Sequence, residues 1–243
     1  MPADSVHVGT SGWTYDDWAG RFYPQGVTGV KRLEYYAQHF DTVEVNATFY
    51  RLPSATLIGS WNRRLPEGFH LVVKGSRLIT HLKRLRGCED ALGTFLARVA
   101  ELRCLRVILW QLPPSLQRDL PLLEAFLAQL TGPARHALEF RHSSWWHDEV
   151  SALLARYGAA FVAVSHPDLP GQVLPTTDFL YLRFHGMGPR RYDYDYSEAE
   201  LREWVQRAAS HQAGRTLYAF FNNDYRAQAP ANAETFRALL GRN

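Results

Sequence analysis

Short apolar runs alternate with amphipathic segments along the whole chain. Eight of these runs are rich in β-branched and aromatic residues, which favour strands. They span residues 6–13, 42–50, 70–77, 105–112, 135–141, 160–166, 179–185 and 216–223. The pattern therefore predicts eight strands that are separated by longer connecting segments.

The connecting segments carry the spacing of amphipathic helices. After the fourth run, apolar residues recur at i, i+3, i+4 and i+7 in Leu123, Phe126, Leu127 and Leu130. The same spacing, which lines up one buried stripe, begins at Leu92, Val150 and Leu201. Two start signals agree with it, because Ser197 precedes Glu200 as in a capping box and Asp119 precedes Pro121. These segments are predicted to be helices.

Strands that alternate with helices at about 30 residues per unit favour a closed parallel barrel over an open doubly wound sheet. Gly9 and Gly12 follow the first strand, but the third glycine of a dinucleotide-binding turn is missing and no Walker-type phosphate loop occurs. No segment rich in Pro, Gly or Ser divides the 243 residues. We therefore predict an α/β fold with one domain over residues 1–243, a (β/α)₈ TIM-type barrel of eight parallel strands.

Composition narrows the class of protein. Hydrophobic residues make up 46% and charged residues 21%, which excludes a disordered or fibrous chain. The net charge of +3 neither requires nor excludes a nucleic-acid partner. Cys88 and Cys104 form no zinc motif, and no apolar run approaches the roughly 18 residues of a membrane span. Because the first residues also lack a signal-peptide pattern, we expect a cytoplasmic protein without a membrane segment.

Alternation within the predicted strands sorts their side chains into two faces. In the second strand, Val43, Val45 and Ala47 form the apolar outer face. The other face, which points along the barrel axis, carries Glu44, Asn46 and Thr48. The same parity places further polar residues inside the barrel, namely Lys74, Ser76, Gln111, Glu139, Arg141, Arg183, His185 and Asn222.

These inward residues lie towards the carboxyl ends of the strands, where (β/α)₈ enzymes carry their catalytic groups. Charges so far from bulk water must be paired or used. One interpretation is purely structural: Glu44 and Glu139 neutralise the neighbouring lysine and arginines and make the barrel rigid. The other is a functional site, which the set as a whole favours because apolar residues would fill the barrel at lower cost.

The predicted loops at the same end add aromatic and basic residues. Aromatic residues make up 13% of the chain, and those in these loops are Trp13, Tyr15, Trp18, Trp145, Trp146, Tyr192, Tyr194 and Tyr196. The basic residues there are Arg77, His81, Lys83, Arg84, Arg86, Arg190 and Arg191. Such a rim suits a ligand with phosphates and stackable rings, such as a nucleotide or a single-stranded nucleic acid. Ordinary loop packing and a solvated helix face are the alternatives.

Several longer motifs resemble one protein family. They are GTSGWTYDDWAGRFYP (9–24), FDTVEVNATFYRLP (40–53), ITH (79–81), LWQLPPS (109–115), LEFRHSSW (138–145), YLRFHG (181–186), FNND (221–224) and PANAETF (230–236). In this order they resemble domain of unknown function 72, the YecE-like proteins. The resemblance implies a (β/α)₈-type barrel and supplies no activity. The likeness of such barrels to metal-dependent DNA-repair endonucleases is an analogy of fold and pocket only.

From these residues we expect an enzyme that acts on a phosphorylated or nucleic-acid ligand, such as a phosphoester or nucleic-acid hydrolase or lyase. The catalytic candidates are Glu44, Lys74, Glu139 and His185. The ligand-binding candidates are Trp13, Asn46, Tyr50, Arg77, Gln111, Arg141, Trp145, Arg183, Asn222 and Asn223. His185 or Glu139 would transfer protons, and the cations would hold the anion. Lys74 could instead form a Schiff base.

Two other functions stay open. One is a binding protein for a nucleotide or nucleic acid without catalysis. The other is a glycoside hydrolase, although Gln111 and His185 lie where common barrel glycosidases carry carboxylates. No cofactor is predicted, since three cations in the pocket disfavour a multi-metal site. A single ion on His166, His185 or Asp224, or a bound phosphate or sulfate, stays open, and the sequence assigns no oligomeric state.

Overall fold

The computed structural model of the chain describes residues 5–188, 190 and 192–241. Within this part, the chain forms nine strand segments and eight α-helices. The strands are β1 (Val6–Thr10), β2 (Thr42–Val45), β3 (His70–Lys74), β4 (Leu105–Gln111), β5 (Arg135–Glu139), β6 (Ala159–Phe161), β7 (Ala163–Ser165), β8 (Phe179–Phe184) and β9 (Thr216–Phe221). The helices are α1 (Lys31–His39), α2 (Ala47–Tyr50), α3 (Ala55–Arg64), α4 (Glu89–Val99), α5 (Leu120–Leu127), α6 (Asp148–Arg156), α7 (Glu198–Gln212) and α8 (Gln228–Leu240).

The strands form two parallel sheets. One has the order β1-β9-β8-β7, and the other has the order β2-β3-β4-β5-β6. A parallel bridge between Ser11 and Glu44 joins the sheets on one side. On the other side, residues 159–165 pair with β5 in their first half and with β8 in their second half. The fold is thus a single α/β domain with parallel sheets of four and five strands.

The closed barrel of eight strands is not confirmed, because the predicted sixth strand is interrupted. At Val162 the backbone N–H bonds to Leu138 O at 3.0 Å, whereas the next residue, Ala163, pairs with Leu182 of β8. The chain changes its pairing partner at this point. The run of apolar residues continues across the break, so the sequence pattern gave no sign of it.

The predicted second strand is too long. It ends at Val45, and residues 47–50 form the short helix α2. The side chain of Thr48 explains where α2 sits, because its Oγ1 donates to the carbonyls of Val45 at 3.0 Å and of Lys74 at 2.7 Å. Ala47 and Thr48 therefore do not occupy opposite faces of a strand, and that prediction is wrong. Ser76 likewise lies beyond the end of β3.

The helix predictions agree with the structure. Asp119 caps α5 by accepting from Leu122 N at 3.0 Å, and Ser197 forms a complete capping box with Glu200. The stripes that begin at Leu92 and Leu201 lie in α4 and α7 and are buried apart from half-buried Leu96. In α6 the stripe is buried from Val150 to Leu154, whereas its predicted last member, Tyr157, follows the helix and is 37% exposed. In the part of the chain that the structure describes, no helix is both long and apolar enough to span a bilayer.

Two apolar clusters fix the polar site in place. The larger one packs the helices against the strands. The smaller one contains alternate residues of the same strands, among them Val72, Val107, Leu109, Val164 and Phe220. Since neighbouring residues of a strand face opposite sides, this second cluster fills the interior between the sheets. The polar side chains of the same inner face therefore rest on packed apolar residues.

Candidate functional site

Arg183 on β8 is the centre of a buried ion network. Its Nη2 donates to Glu44 Oε1 at 2.6 Å, and its Nη1 donates to Glu139 Oε2. All three side chains have 1% exposure or less. Glu44 and Glu139 lie in one sheet and Arg183 lies in the other, so this arginine ties the two sheets together.

Tyr181 completes the coordination of Glu44. Its hydroxyl donates to Glu44 Oε2 at 2.6 Å. Burial and the neighbouring Glu44 carboxylate raise the pKa of Tyr181 well above its usual value, so the phenol keeps its proton. Both oxygens of Glu44 are therefore satisfied by donors from β8.

Glu139 holds two arginines. Besides Arg183, it accepts from Nε of Arg141, which follows β5 directly. Burial alone would raise the pKa of Glu139, but the charges of Arg141 and Arg183, with a contribution from His185, keep that pKa well below its ordinary value. A carboxyl group in this state remains ionised at neutral pH. Its geometry suits orienting the arginines rather than releasing a proton.

His185 is held neutral and in one tautomer. Burial, followed by the charges of Arg141 and Arg183, lowers its pKa well below the usual value. Its Nε2 lies 2.7 Å from Arg141 Nη2, and a guanidinium has donors only. Nε2 must therefore accept from Arg141. Nδ1 lies 3.1 Å from Asn222 Nδ2, so a ring proton on Nδ1 requires the Asn222 amide to present its oxygen instead.

Lys74 differs from the two arginines, because among the described residues no carboxylate lies within the 4.0 Å of an ion pair from its ammonium. Lys74 ends β3, and its Nζ lies 4.4 Å from the ring centre of Phe49 on α2. Burial and the charge of Arg183 lower its pKa to about 8, against an opposing effect of Glu139 and Glu44. At pH 7 this amine is far more often neutral than an exposed lysine.

His81 lies beside Lys74. The two side chains share the ring of Phe49, which His81 contacts edge-on with ring centres 5.0 Å apart. Burial, then the charges of Lys74, Arg77 and Arg141, lower the pKa of His81 to about 4. The imidazole of His81 is therefore neutral at pH 7.

We call Glu44, Lys74, Glu139, Arg141, Arg183 and His185 the carboxyl-end cluster. Neighbouring polar groups leave hydrogen-bonding capacity unused, because Ser11 Oγ, Asn46 Oδ1 and Arg183 Nε are buried without a partner. Gln111, half-buried, pairs in register with Glu139. Unused buried donors and acceptors are unusual in a purely structural network. These atoms are buried, so the groups of the cluster that a ligand can reach are those of half-buried Lys74 and of Arg141, which is 14% exposed.

Several predicted rim residues lie elsewhere. Trp145 is fully buried, stacks on Phe140 with ring centres 4.6 Å apart and donates to Leu116 O at 2.7 Å. It offers no surface to a ligand, so it packs the core instead. Asn223 is also fully buried and bonds Tyr194 O and Asn232 Oδ1, each at 2.7 Å. Trp18 and Tyr196 are buried as well.

Other predicted residues are accessible. Tyr50 is 72% exposed, and Arg77 is exposed on the loop after β3. Trp13 is partly buried and meets Trp61 edge-on at 6.0 Å. Arg191 lies outside the described residues. In the loop after β8, Tyr192 and Arg190 are exposed as well. The accessible rim is therefore smaller than predicted and lies near β1, α2 and the loops after β3 and β8.

No group of three His, Cys, Asp or Glu residues suited to a metal ion occurs among the described residues. The rings of His166 and His185 are 6.5 Å apart, and burial raises the pKa of Asp224 to about 6. The donors of the cluster suit an anion, since most are cationic side chains.

Sequence reasoning omitted Tyr181 and Phe49 and placed His81 only on the rim. Tyr181 has the same parity as Arg183 and His185, so the alternation of β8 was sufficient to find it. Phe49 could not be found from the pattern, because residues 46–50 alternate in polarity as a strand does, whereas residues 47–50 form the helix α2.

Comparisons with known proteins give the family. The model of the family described as "Protein of unknown function DUF72" matches residues 7–243. The chain is 26% identical to UPF0759 protein YecE of Escherichia coli K12 over 95% of this chain and 90% of that protein. It is 24% identical to UPF0759 protein YunF of Bacillus subtilis over 97% of this chain and 94% of that protein.

A solved structure agrees with this result. A DUF72 family protein from Thermotoga maritima MSB8 superposes with a TM-score of 0.88 and 33% sequence identity. The match covers 98% of this chain and 99% of that one. The motifs quoted from the sequence, the fold and these matches lead to one result: the chain belongs to the DUF72 family.

Proposed function

We propose that this protein is an enzyme that acts on a phosphorylated or nucleic-acid ligand at the carboxyl ends of the strands, in a fold of the (β/α)₈ type. The observation that carries the proposal is the charge balance of the carboxyl-end cluster. Three cations, Lys74, Arg141 and Arg183, face only the two carboxylates Glu44 and Glu139. His185 is neutral. One positive charge therefore has no carboxylate partner in the cluster.

An anion would correct this imbalance. Burying an unpaired charge is costly, and a phosphate with oxygens towards Lys74 and Arg141 would compensate it. Arg141 is the arginine that can reach such a ligand, since 14% of its side chain is exposed, whereas Arg183 is 1% exposed. Arg183 and Glu139 then serve to position Arg141.

Lys74 is the group best placed for proton transfer. General acids and bases work best when their pKa lies near the pH of the reaction, and the pKa of Lys74 is lowered to about 8. Glu139 is held ionised, and Nε2 of His185 accepts from Arg141. Neither is free to exchange protons with a ligand in this arrangement, so the acid–base role passes to Lys74.

The test is a turnover screen of phosphomonoesters, nucleotides and short oligonucleotides with the wild type and three variants. Lys74→Met should abolish turnover, and Lys74→Arg should keep ligand binding while losing turnover, because arginine does not deprotonate. Lys31→Met, at the exposed start of α1, is the matched control and should behave as the wild type.

The outcomes separate the two remaining functions. Loss of turnover in Lys74→Arg with retained binding supports an enzyme. Binding by the wild type without turnover of any substrate class would replace the proposal by a non-catalytic binding protein. Equal turnover in wild type and Lys74→Met would remove Lys74 from the mechanism.

A further inference from the structure

We propose that Lys74 forms a Schiff base with an aldehyde or ketone that carries a phosphate group. This inference rests on the proposed function and names its substrate class. The phosphate would bind at Arg141, and the carbonyl carbon would lie at Nζ of Lys74. The observations that support it are the placement of lysine in the chain, the surroundings of Nζ and the cations nearby.

Lysine is rare in this protein. Of its 27 Lys and Arg residues, only Lys31, Lys74 and Lys83 are lysines. Lys31 and Lys83 are exposed, so Lys74 is the one lysine of the cluster. A guanidinium would hold a phosphate in two hydrogen bonds and would stay charged, which makes arginine the better residue for an anion alone. Lysine at this position is explained if the amine must lose its proton and attack a carbon atom.

The surroundings of Nζ favour the neutral amine. It faces the ring of Phe49 at 4.4 Å, and no carboxylate of the described part of the chain forms an ion pair with it. Burial and the charge of Arg183 act in the same direction on its pKa. An amine that is desolvated beside other cations is the usual arrangement of a Schiff-base lysine.

The adjoining cations supply the place for a phosphate. After the larger effect of burial, the charges of Lys74, Arg77 and Arg141 each lower the pKa of His81, so all three are cations of this end of the strands. Arg77 is exposed, and Arg141 is partly exposed. When Lys74 bonds covalently to the substrate, Arg77 and Arg141 remain for the phosphate. His81 also contacts the ring of Phe49, with ring centres 5.0 Å apart.

The step balances without a further reactant. The lone pair of Nζ attacks the carbonyl carbon, the C–O π bond breaks, and its oxygen takes a proton that the nitrogen gives up. The resulting carbinolamine then loses this oxygen as water, with the second amine hydrogen, as the C=N bond forms. One amine and one carbonyl thus give one imine and one water, and no oxidation or reduction takes place.

The experiment uses pyridoxal 5′-phosphate as a phosphorylated aldehyde, at pH 7, followed by sodium borohydride, which adds hydride to the imine carbon and fixes the adduct. Peptide mapping by mass spectrometry then compares Lys74 with Lys31 and Lys83 in the same molecule. We expect Lys74 to be modified at least about tenfold more, because its neutral fraction at pH 7 is larger. Pyridoxal without phosphate should show a weaker preference, because the larger neutral fraction of Lys74 remains but the phosphate contact is lost, and inorganic phosphate should protect Lys74.

Glyceraldehyde 3-phosphate with sodium cyanoborohydride is the second probe. It is smaller than pyridoxal 5′-phosphate, so it tests Lys74 even if the pyridoxal ring is too large for the site. Failure of both probes to label Lys74 in preference to the other lysines, while inorganic phosphate still binds the wild type, overturns the Schiff base and leaves the proposed function standing. Absence of phosphate binding in the wild type overturns both. In Lys74→Arg, the adduct should disappear while phosphate binding persists.

Discussion

The amino ends of the strands hold neutral rings, whereas the carboxyl ends hold buried charges. At the amino ends, His7 stacks on His70 with ring centres 3.6 Å apart, and His70 Nδ1 lies 2.8 Å from the hydroxyl of Tyr218. Burial lowers the pKa of His70 to about 4 and raises the pKa of Tyr218 to about 12, so both rings are neutral at pH 7. The carboxyl-end cluster instead buries two carboxylates and three cations.

This difference separates a structural polar group from one available to a ligand. At the amino ends, His70 and Tyr218 hydrogen-bond to each other and His7 bonds Asp41 at 2.6 Å. The charges near these rings lie at the edge, where Asp41 is 53% exposed and Asp178 is 66% exposed. Water screens such charges. The charges of the carboxyl-end cluster lack that screening, and their cation excess is the feature that requires an anion.

The largest expected effect is a difference in the free energy of unfolding between a substitution at the carboxyl ends and one at the amino ends of the strands. Arg183→Met should lower the free energy of unfolding by roughly 3–5 kcal/mol, because it leaves Glu44 and Glu139 buried without their shared cation. Arg135→Met should lose about 1 kcal/mol or less, since its partner Asp178 is mostly exposed. Urea unfolding of both variants at pH 7 measures this. Equal losses would contradict the contrast between the ends.

The next prediction concerns anion binding. Arg141→Met should weaken inorganic phosphate binding about 10- to 100-fold, the loss expected for one hydrogen bond to a charged group. Arg106→Met, at the half-buried start of β4, removes an arginine from the opposite end and should leave the affinity unchanged. Calorimetric titration measures both. A larger loss of phosphate affinity in Arg106→Met than in Arg141→Met would show that the anion binds at the amino ends of the strands.

The pH dependence of stability tests the neutral rings. Burial keeps the folded-state pKa of His70 near 4, whereas an unfolded histidine titrates near 6.5. The unfolded chain therefore binds the extra proton first, and the stability contributed by His70 is present above pH 6.5 and is lost as the pH falls towards 4. After allowance for solvent at the partly exposed ring, the loss is about 1–2 kcal/mol.

His70→Gln should remove this part of the acid slope in urea unfolding curves recorded between pH 4 and 7. His211→Gln, at the end of α7, is the control. An unchanged slope in His70→Gln would show that the ring is not held neutral by its surroundings.

The smallest expected effect is the pH dependence of sulfate binding. Sulfate keeps its charge in this range, so a change reports on the protein. Lys74 loses its proton as the pH rises through about 8, and affinity should fall by about two- to fivefold, the size of one partly solvated charge contact. In Lys74→Arg the decrease should vanish. A decrease that persists in this variant would assign the titration to another group.

Much of the carboxyl-end cluster was predictable because strand parity is a local rule. Glu44, Glu139, Arg183 and His185 lie on β2, on β5, on β8 and immediately after β8, and alternation with apolar neighbours was enough to place them inside. The helix stripes and caps were equally local. For these elements, the local sequence pattern is enough to predict the geometry.

The remaining features depend on contacts that the sequence does not show. Trp145 follows the end of β5 by six residues, and its direction is set by the carbonyl of Leu116 and the ring of Phe140. The break at Val162 depends on which neighbouring strand offers a partner. Residues 46–50 alternate in polarity, yet Thr48 turns them into a helix through two carbonyls. In all three places, tertiary contacts override the conformation that the local pattern predicts.

The central claim is that an anion binds at the carboxyl-end cluster. The most direct measurement is a crystal structure of the protein with tungstate, a phosphate-like anion that anomalous scattering locates. We expect the anion within hydrogen-bond distance of Lys74 Nζ and the guanidinium of Arg141. Tungstate found only in the cleft of about 550 Å³ at the amino ends, which Arg103, Arg106 and Arg135 line, would contradict it.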